Sequence, residues 1–120
     1  MLSKVVHFEI PVDDPARAIE FYEDVFGWKI ERWGDLDYWL VTTGEDDEPG
    51  INGAILPRDM YPKVRNAISV DSYDEAVGNI ESSGGKMLTD KMNVPGIGDT
   101  AAFKDSEGNV FLIIAPEKKD

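Results

Sequence analysis

The sequence predicts an α+β fold made of two βαβββ modules, and three observations lead there. The outline of residues 5 to 28, a strand followed by a helix, returns in the second half at a constant offset of 58 residues. Val12-Asp13-Asp14 comes back as Val70-Asp71-Ser72, Ala18 as Ala76, Gly27 as Gly85 and Gly50 as Gly108. Apolar residues alternate with polar ones in several short runs, the period of strands with one face on a hydrophobic layer, and each half contains a single helical pattern. The chain has 120 residues and no cysteine, so its core must form without disulfides, and a chain of this size buries roughly two thirds of its unfolded surface.

The elements follow in order. Lys4 to Pro11 alternates, with Val6, Phe8 and Ile10 on the face expected to meet the core and Val5, His7 and Glu9 on the other. Asp14-Pro15 starts a helix, Asp14 as N-cap and Pro15 at the first helical position, where a missing N–H costs nothing. Ala18, Phe21 or Tyr22, and Val25 are its expected buried stripe, with Phe26 also assigned to the core, and Gly27 is the left-handed stop. Trp28 to Arg32, Tyr38 to Thr42 and Ile51 to Leu56 read as three strands, the last two separated by the polar turn from Gly44 to Gly50.

Module 1 thus covers about residues 4–57. Residues 57–63 form a linker whose Pro57 and Pro62 argue against strand or helix. Module 2, about 64–116, repeats the plan. Val64 to Val70 is a strand, and Ser72 with Glu75 forms a capping box ahead of a helix with Ala76, Val77 and Ile80 on its apolar stripe. Lys86 to Thr89, Thr100 to Lys104 and Asn109 to Ala115 are the remaining strands, and the glycine-rich Pro95 to Asp99 reads as a mobile loop over the cup or simply as a loop. Each module has one sheet face covered by its helix, so the two sheets are expected to curl into a cup within a single domain, 1–120.

Charge and composition exclude several functions. Acidic residues number 24 against 12 basic, a formal charge of −12, and no lysine or arginine run forms a phosphate-tracking patch, so nucleic acid is not an expected partner. Met1-Leu2-Ser3-Lys4 leads straight into a strand pattern without an apolar leader segment. Nor is there a run of about 18 apolar residues to cross a bilayer. A soluble cytoplasmic protein without membrane contact is the expectation. Nucleophilic triads are not available either: a single histidine and no cysteine leave only a serine partnered by His7, and no serine sits in a strand-to-helix elbow.

Three stretches resemble a known family. They are His7-Phe8-Glu9-Ile10-Pro11 with Asp13-Asp14-Pro15, Arg17-Ala18, Phe21-Tyr22 and Phe26-Gly27-Trp28; Val70-Asp71-Ser72 with Ala76, Ile80 and Gly84-Gly85; and the turn Asp105-Ser106-Glu107-Gly108-Asn109. Together they are similar to the vicinal oxygen chelate superfamily, which includes glyoxalase I, extradiol dioxygenases and the fosfomycin and bleomycin resistance proteins. The resemblance implies the paired βαβββ fold and, commonly, a homodimer. It does not fix a reaction, because one scaffold of this family carries isomerisation, ring cleavage, epoxide opening and plain sequestration.

The resemblance also implies a divalent metal held by His or Glu side chains on the first, fourth, fifth and eighth strands. Here those positions fall on His7, Ala54, Arg65 and Leu112. Only His7 could be a ligand, since a guanidinium repels a cation and Ala and Leu offer no donor atom. The sequence therefore leads to the expectation of no metal and no cofactor. In its place His7, Glu9, Asn52 and Arg65 are expected to be the polar groups of a pocket for a small molecule, anionic or aromatic, with Arg65 as the anchor for an anion. The plainer possibility for Arg65 is an ion pair with Glu9. Trp28, Trp33, Tyr38, Trp39 and Tyr61 supply aromatic walls or core contacts, with only one of Tyr38 and Trp39 able to face the pocket. Two other readings stay open: a metal-dependent glyoxalase-like lyase or dioxygenase with an unorthodox site, and a non-catalytic interaction subunit.

Overall fold

A computed structural model describes residues 2–117. The elements run β1 (Val5–Val12), α1 (Pro15–Phe26), β2 (Lys29–Arg32), β3 (Trp39–Thr42), β4 (Asn52–Pro57), β5 (Arg65–Ser69), α2 (Tyr73–Ser82), β6 (Lys86–Met87), β7 (Met92–Val94), β8 (Gly98–Lys104) and β9 (Val110–Pro116). Strand, helix and three strands therefore occur twice, as the repeat requires, with β7 as an addition. The chain packs as two compact units, His7–Arg65 and the residues up to Val6 together with those from Asn66 on. No helix among the described residues is long and apolar enough to cross a membrane.

In the His7–Arg65 unit the strand order is β2-β3-β4-β1, with β1 parallel to β4 and the other pairs antiparallel. Val12, Val41 and Ile55 form the buried centre, and Phe8, Ile10, Ala18, Ile19, Tyr22, Trp28, Ile30 and Trp39 pack around it. Complete burial of a side chain such as Ile55 contributes on the order of 1.5–3 kcal/mol. Helix α1 begins as expected: the Asp14 carboxylate accepts the Arg17 N–H at 3.1 Å, and Gly27 ends the helix in the left-handed region at φ 70°.

Its buried stripe differs from the expectation. Phe21, Val25 and Phe26 are each more than half exposed. Of the expected stripe Ala18 and Tyr22 do meet the sheet, joined by Ile19, and the indole of Trp28 stacks on Tyr22 with ring centroids 4.9 Å apart. Trp28 also stacks on Phe26 with ring centroids 5.5 Å apart.

The second unit repeats the arrangement as β5-β9-β8-β6, with β7 also on β8 and β5 parallel to β9. Ala101, Phe103 and Ile113 are its buried centre, covered by Val77, Ile80 and Ala76 of α2. The repeat extends to strand register. The pairs Glu9↔Ala54 and Ile10↔Ile55 of the first parallel ladder return 58 residues later as Ala67↔Leu112 and Ile68↔Ile113 of the second. The capping box is half made: Ser72 Oγ accepts the Glu75 N–H at 3.2 Å. The Asp105-Ser106-Glu107-Gly108-Asn109 turn is closed by Asp105, whose carboxylate accepts the N–H groups of Glu107 and Asn109 at 2.8 and 2.9 Å. Those bonds hold the Asp105 carboxyl below its ordinary range.

The segment from Pro95 to Asp99 is the tip of a hairpin: Pro95 to Ile97 is the turn, and Gly98 and Asp99 already belong to β8. Met92–Val94 pairs with Thr100–Gly98, and the Ile97 N–H donates to the Val94 carbonyl at 2.9 Å across the turn. Gly98, at φ 134°, lets β8 begin two residues earlier than the apolar pattern alone suggests. A three-residue strand carries too little alternation to be recognised from its own residues.

Gly53 is the tightest point of the parallel ladder. It faces Phe8 across β1 and β4, and a Cβ added there would meet the Phe8 carbonyl oxygen and ring. Gly53→Ala is expected to destabilise the protein by about 1–3 kcal/mol, read as a lower midpoint in thermal denaturation; an unchanged midpoint would contradict this packing.

Candidate functional site

The sheet face of the first unit that turns away from α1 carries His7, Glu9 and Pro11 on β1 and Asn52, Ala54 and Leu56 on β4, fixed by the in-register pairs His7↔Asn52, Glu9↔Ala54 and Pro11↔Leu56. Alternation puts each of these side chains opposite the core residues Phe8, Ile10, Gly53 and Ile55. Glu9 is 6% exposed. A buried carboxylate is costly unless it is paired and hydrogen-bonded.

Both of its oxygens are satisfied. Arg65 Nε donates to Glu9 Oε1 at 2.6 Å, and the Tyr38 hydroxyl donates to Oε2 at 2.8 Å. The guanidinium in turn lies 4.2 Å from the ring centroid of Tyr61, a cation–π contact. His7 Nε2 completes the row, 2.9 Å from the Tyr38 oxygen. Arg65, Glu9, Tyr38 and His7 thus form one continuous polar relay on a single sheet face, all within the first unit. Burial holds the His7 pKa below its ordinary 6.5, with the Glu9 carboxylate opposing part of that effect. Burial and the same carboxylate push the Tyr38 phenol above its ordinary range, so it keeps its proton.

Tyr38, named from the sequence only as one of two aromatics able to face the pocket, is the polar member that sequence reasoning missed. It stands one position before β3, and β4 lies between β3 and β1, so its ring reaches Glu9 and His7 across β4. Ala54 is opposite both Glu9 and Leu40 in the two ladders and is wholly buried; its single methyl leaves the space a longer side chain would fill. The available signal was the phase of Tyr38 with Leu40 and the smallness of residue 54. Trp33 packs against Tyr38 with ring centroids 5.8 Å apart, whereas Trp28 and Trp39 belong to the core.

The structure therefore brings three of the four expected residues, His7, Glu9 and Arg65, into one relay. Asn52 is turned elsewhere. It is exposed, and its Oδ1 accepts the N–H and hydroxyl of Thr43 at 3.0 and 3.3 Å, closing the turn from Thr43 to Asn52. A shallow hollow of about 160 Å³ lies at that turn, lined by Thr43, Glu45, Asp46, Glu48 and Asn52 among others. Glu48 is occupied there in capping the Glu45 N–H at 2.7 Å.

The residues present do not fit a divalent metal in the manner the resemblance implies. Ala54 is buried in the fourth-strand position, Arg65 holds the fifth, and Leu112, on β9 beside Ala67, holds the eighth. His7 Nε2 and both Glu9 oxygens are engaged by Tyr38 and Arg65. Among the described residues no three His, Cys, Asp or Glu side chains converge to hold a metal.

The comparisons agree with the fold. A family model described as bleomycin resistance protein-like N-terminal matches residues 4–44. A glyoxylase-like domain-containing protein of Didymella fabae is 30% identical over 118 residues, which are 92% of this chain and 92% of that protein. A lactoylglutathione lyase of Arabidopsis thaliana is 29% identical over 92% of this chain, which spans 44% of the plant protein. Methylmalonyl-CoA epimerase from Mycobacterium tuberculosis superposes with a TM-score of 0.67 at 16% identity, over 95% of this chain and 88% of that one. The chain belongs to the glyoxalase and bleomycin-resistance-like family of the vicinal oxygen chelate superfamily.

Two outcomes are expected of the relay. Arg65→Ala, which strands a buried carboxylate, should cost about 3–5 kcal/mol, and Tyr38→Phe, which leaves one carboxylate oxygen without a donor, about 1–3 kcal/mol; urea denaturation midpoints read both. The depressed His7 pKa means that the unfolded chain binds the proton more readily. The stability it contributes is complete above the unfolded value of 6.5 and falls away as pH drops through the folded value. The stability of the wild type should therefore decline more steeply below about pH 6.5 than that of His7→Gln, compared in parallel urea titrations.

Proposed function

We propose that this chain is a small-molecule-binding member of the family that works without a bound divalent metal, using His7 and Arg65 as the groups that meet the ligand. The observation that carries the proposal is the Tyr38 hydroxyl seated between His7 Nε2 and Glu9 Oε2, together with Ala54, Arg65 and Leu112 at the family's other ligand positions. Glu9 is the counter-charge that holds Arg65, and Asn52 shapes the adjoining turn. Arg65 uses only Nε on Glu9. Every wholly buried side-chain nitrogen or oxygen among the described residues has a partner. The terminal guanidinium nitrogens, which form no bond with a described residue, therefore retain exposed surface and can receive a carboxylate or phosphate. Tyr61 supplies flat apolar surface at the Arg65 end of the relay, and Trp33 lies against Tyr38 within it.

A second reading, a metal-dependent glyoxalase-like lyase, draws its support from the lactoylglutathione lyase among the relatives. Metal analysis and a hemithioacetal turnover assay on the purified protein separate the two. The expected result is no stoichiometric zinc, nickel, iron or manganese and no turnover; a metal bound through His7 would replace this proposal with the second reading. A thermal-shift screen of planar aromatics, antibiotics and small carboxylates should yield a compound that raises the midpoint, as binding to the native state must by mass action. Arg65→Ala should weaken any anionic binder.

A further inference from the structure

The direction of one hydrogen bond determines what the site can accept. Tyr38 has a single hydroxyl hydrogen, and it is given to the Glu9 carboxylate, which with Arg65 on its other oxygen is an acceptor only. The Tyr38 oxygen can therefore meet His7 Nε2 at 2.9 Å only as an acceptor, so the ring hydrogen of neutral His7 lies on Nε2. The lone pair then lies on Nδ1. That atom has no partner among the described residues, and because no wholly buried side-chain nitrogen is left without one, Nδ1 is not wholly buried. Glu9 and Arg65 cancel, leaving the relay neutral in a chain of formal charge −12.

We propose that Tyr38 is a positioning residue that locks His7 in the Nε2–H tautomer, making Nδ1 the acceptor for a neutral ligand that carries an O–H or N–H donor on a flat ring, of the phenol or azole class. An acceptor-only group aimed at Nδ1 would set one lone pair against another, so carboxylates are directed to Arg65 and away from His7. A flat ring suits a relay that already carries an aromatic pair, Trp33 against Tyr38, next to His7. This inference rests on the small-molecule-binding reading and adds the ligand class and the atom that reads it.

His7 is the only histidine of the chain, so a long-range ¹H–¹⁵N correlation spectrum of this 120-residue chain at neutral pH shows one imidazole and needs no assignment. The expected spectrum has a protonated, pyrrole-type Nε2 and a pyridine-type Nδ1, and in Tyr38→Phe the two nitrogens should move toward the averaged position of exchanging tautomers. Phenol and anisole, alike in shape but differing in the donor, are then titrated. Phenol should bind about fivefold more tightly, the value of one ordinary hydrogen bond, and should shift Nδ1 alone, with the preference lost in Tyr38→Phe. An Nδ1–H tautomer or an imidazolium in the wild type overturns the inference, as does equal binding of phenol and anisole with Nδ1 unmoved; either leaves the small-molecule-binding reading intact if another compound of the thermal-shift screen binds. Failure of every compound in that screen overturns both.

Discussion

The first unit is organised around the cost of a carboxylate in its sheet. Glu9 is almost entirely withdrawn from water, and an unpaired charge there would cost on the order of several kcal/mol. That cost sets the surroundings. Arg65 must bring its guanidinium to 2.6 Å, Tyr38 must cross β4 to deliver its hydroxyl, and Tyr61 flanks the guanidinium from its other side. His7 is oriented last, through Tyr38. Three residues, His7 from β1, Tyr38 from the approach to β3 and Arg65 from the start of β5, thus depend on one anionic side chain.

The same constraint explains why the chain keeps the family fold while departing from the family's metal set. The repeat places Arg65 at the counterpart of His7, a residue incompatible with a nearby cation and well suited to a carboxylate. Arg65 engages one Glu9 oxygen and Tyr38 the other, and Tyr38 also meets His7 Nε2. Ala54 completes the exchange, because a longer fourth-strand side chain would take the space that the Tyr38 ring crosses. The scaffold is conserved by its hydrophobic faces, Phe8, Ile10 and Ile55 in one unit and Ile68, Phe103 and Ile113 in the other, and these are independent of what the opposite face carries.

Much of the fold was legible because it is written in local periodicity. The Asp14-Pro15 helix start, the Gly27 stop and the Asp105 turn rest on interactions within a few residues, and each occurs where the pattern puts it. The β7 strand was not legible, since three residues held only by β8 have no pattern of their own. Helical spacing left Phe21 and Tyr22 as alternatives, and the packing against the sheet selected Tyr22, with Phe21, Val25 and Phe26 left exposed.

For the site the division is sharper. The sequence by itself determined the paired modules, the absence of metal-ligating side chains at Ala54, Arg65 and Leu112, and the pairing of Arg65 with Glu9 as one of two possibilities. Only the tertiary structure decided that Tyr38 joins them and that Asn52 does not. The reason is that alternation assigns a side chain to a face, whereas a hydrogen bond across an intervening strand depends on ladder register and on the size of the residue beneath it, here Ala54, and those are properties of strands brought together from distant parts of the chain.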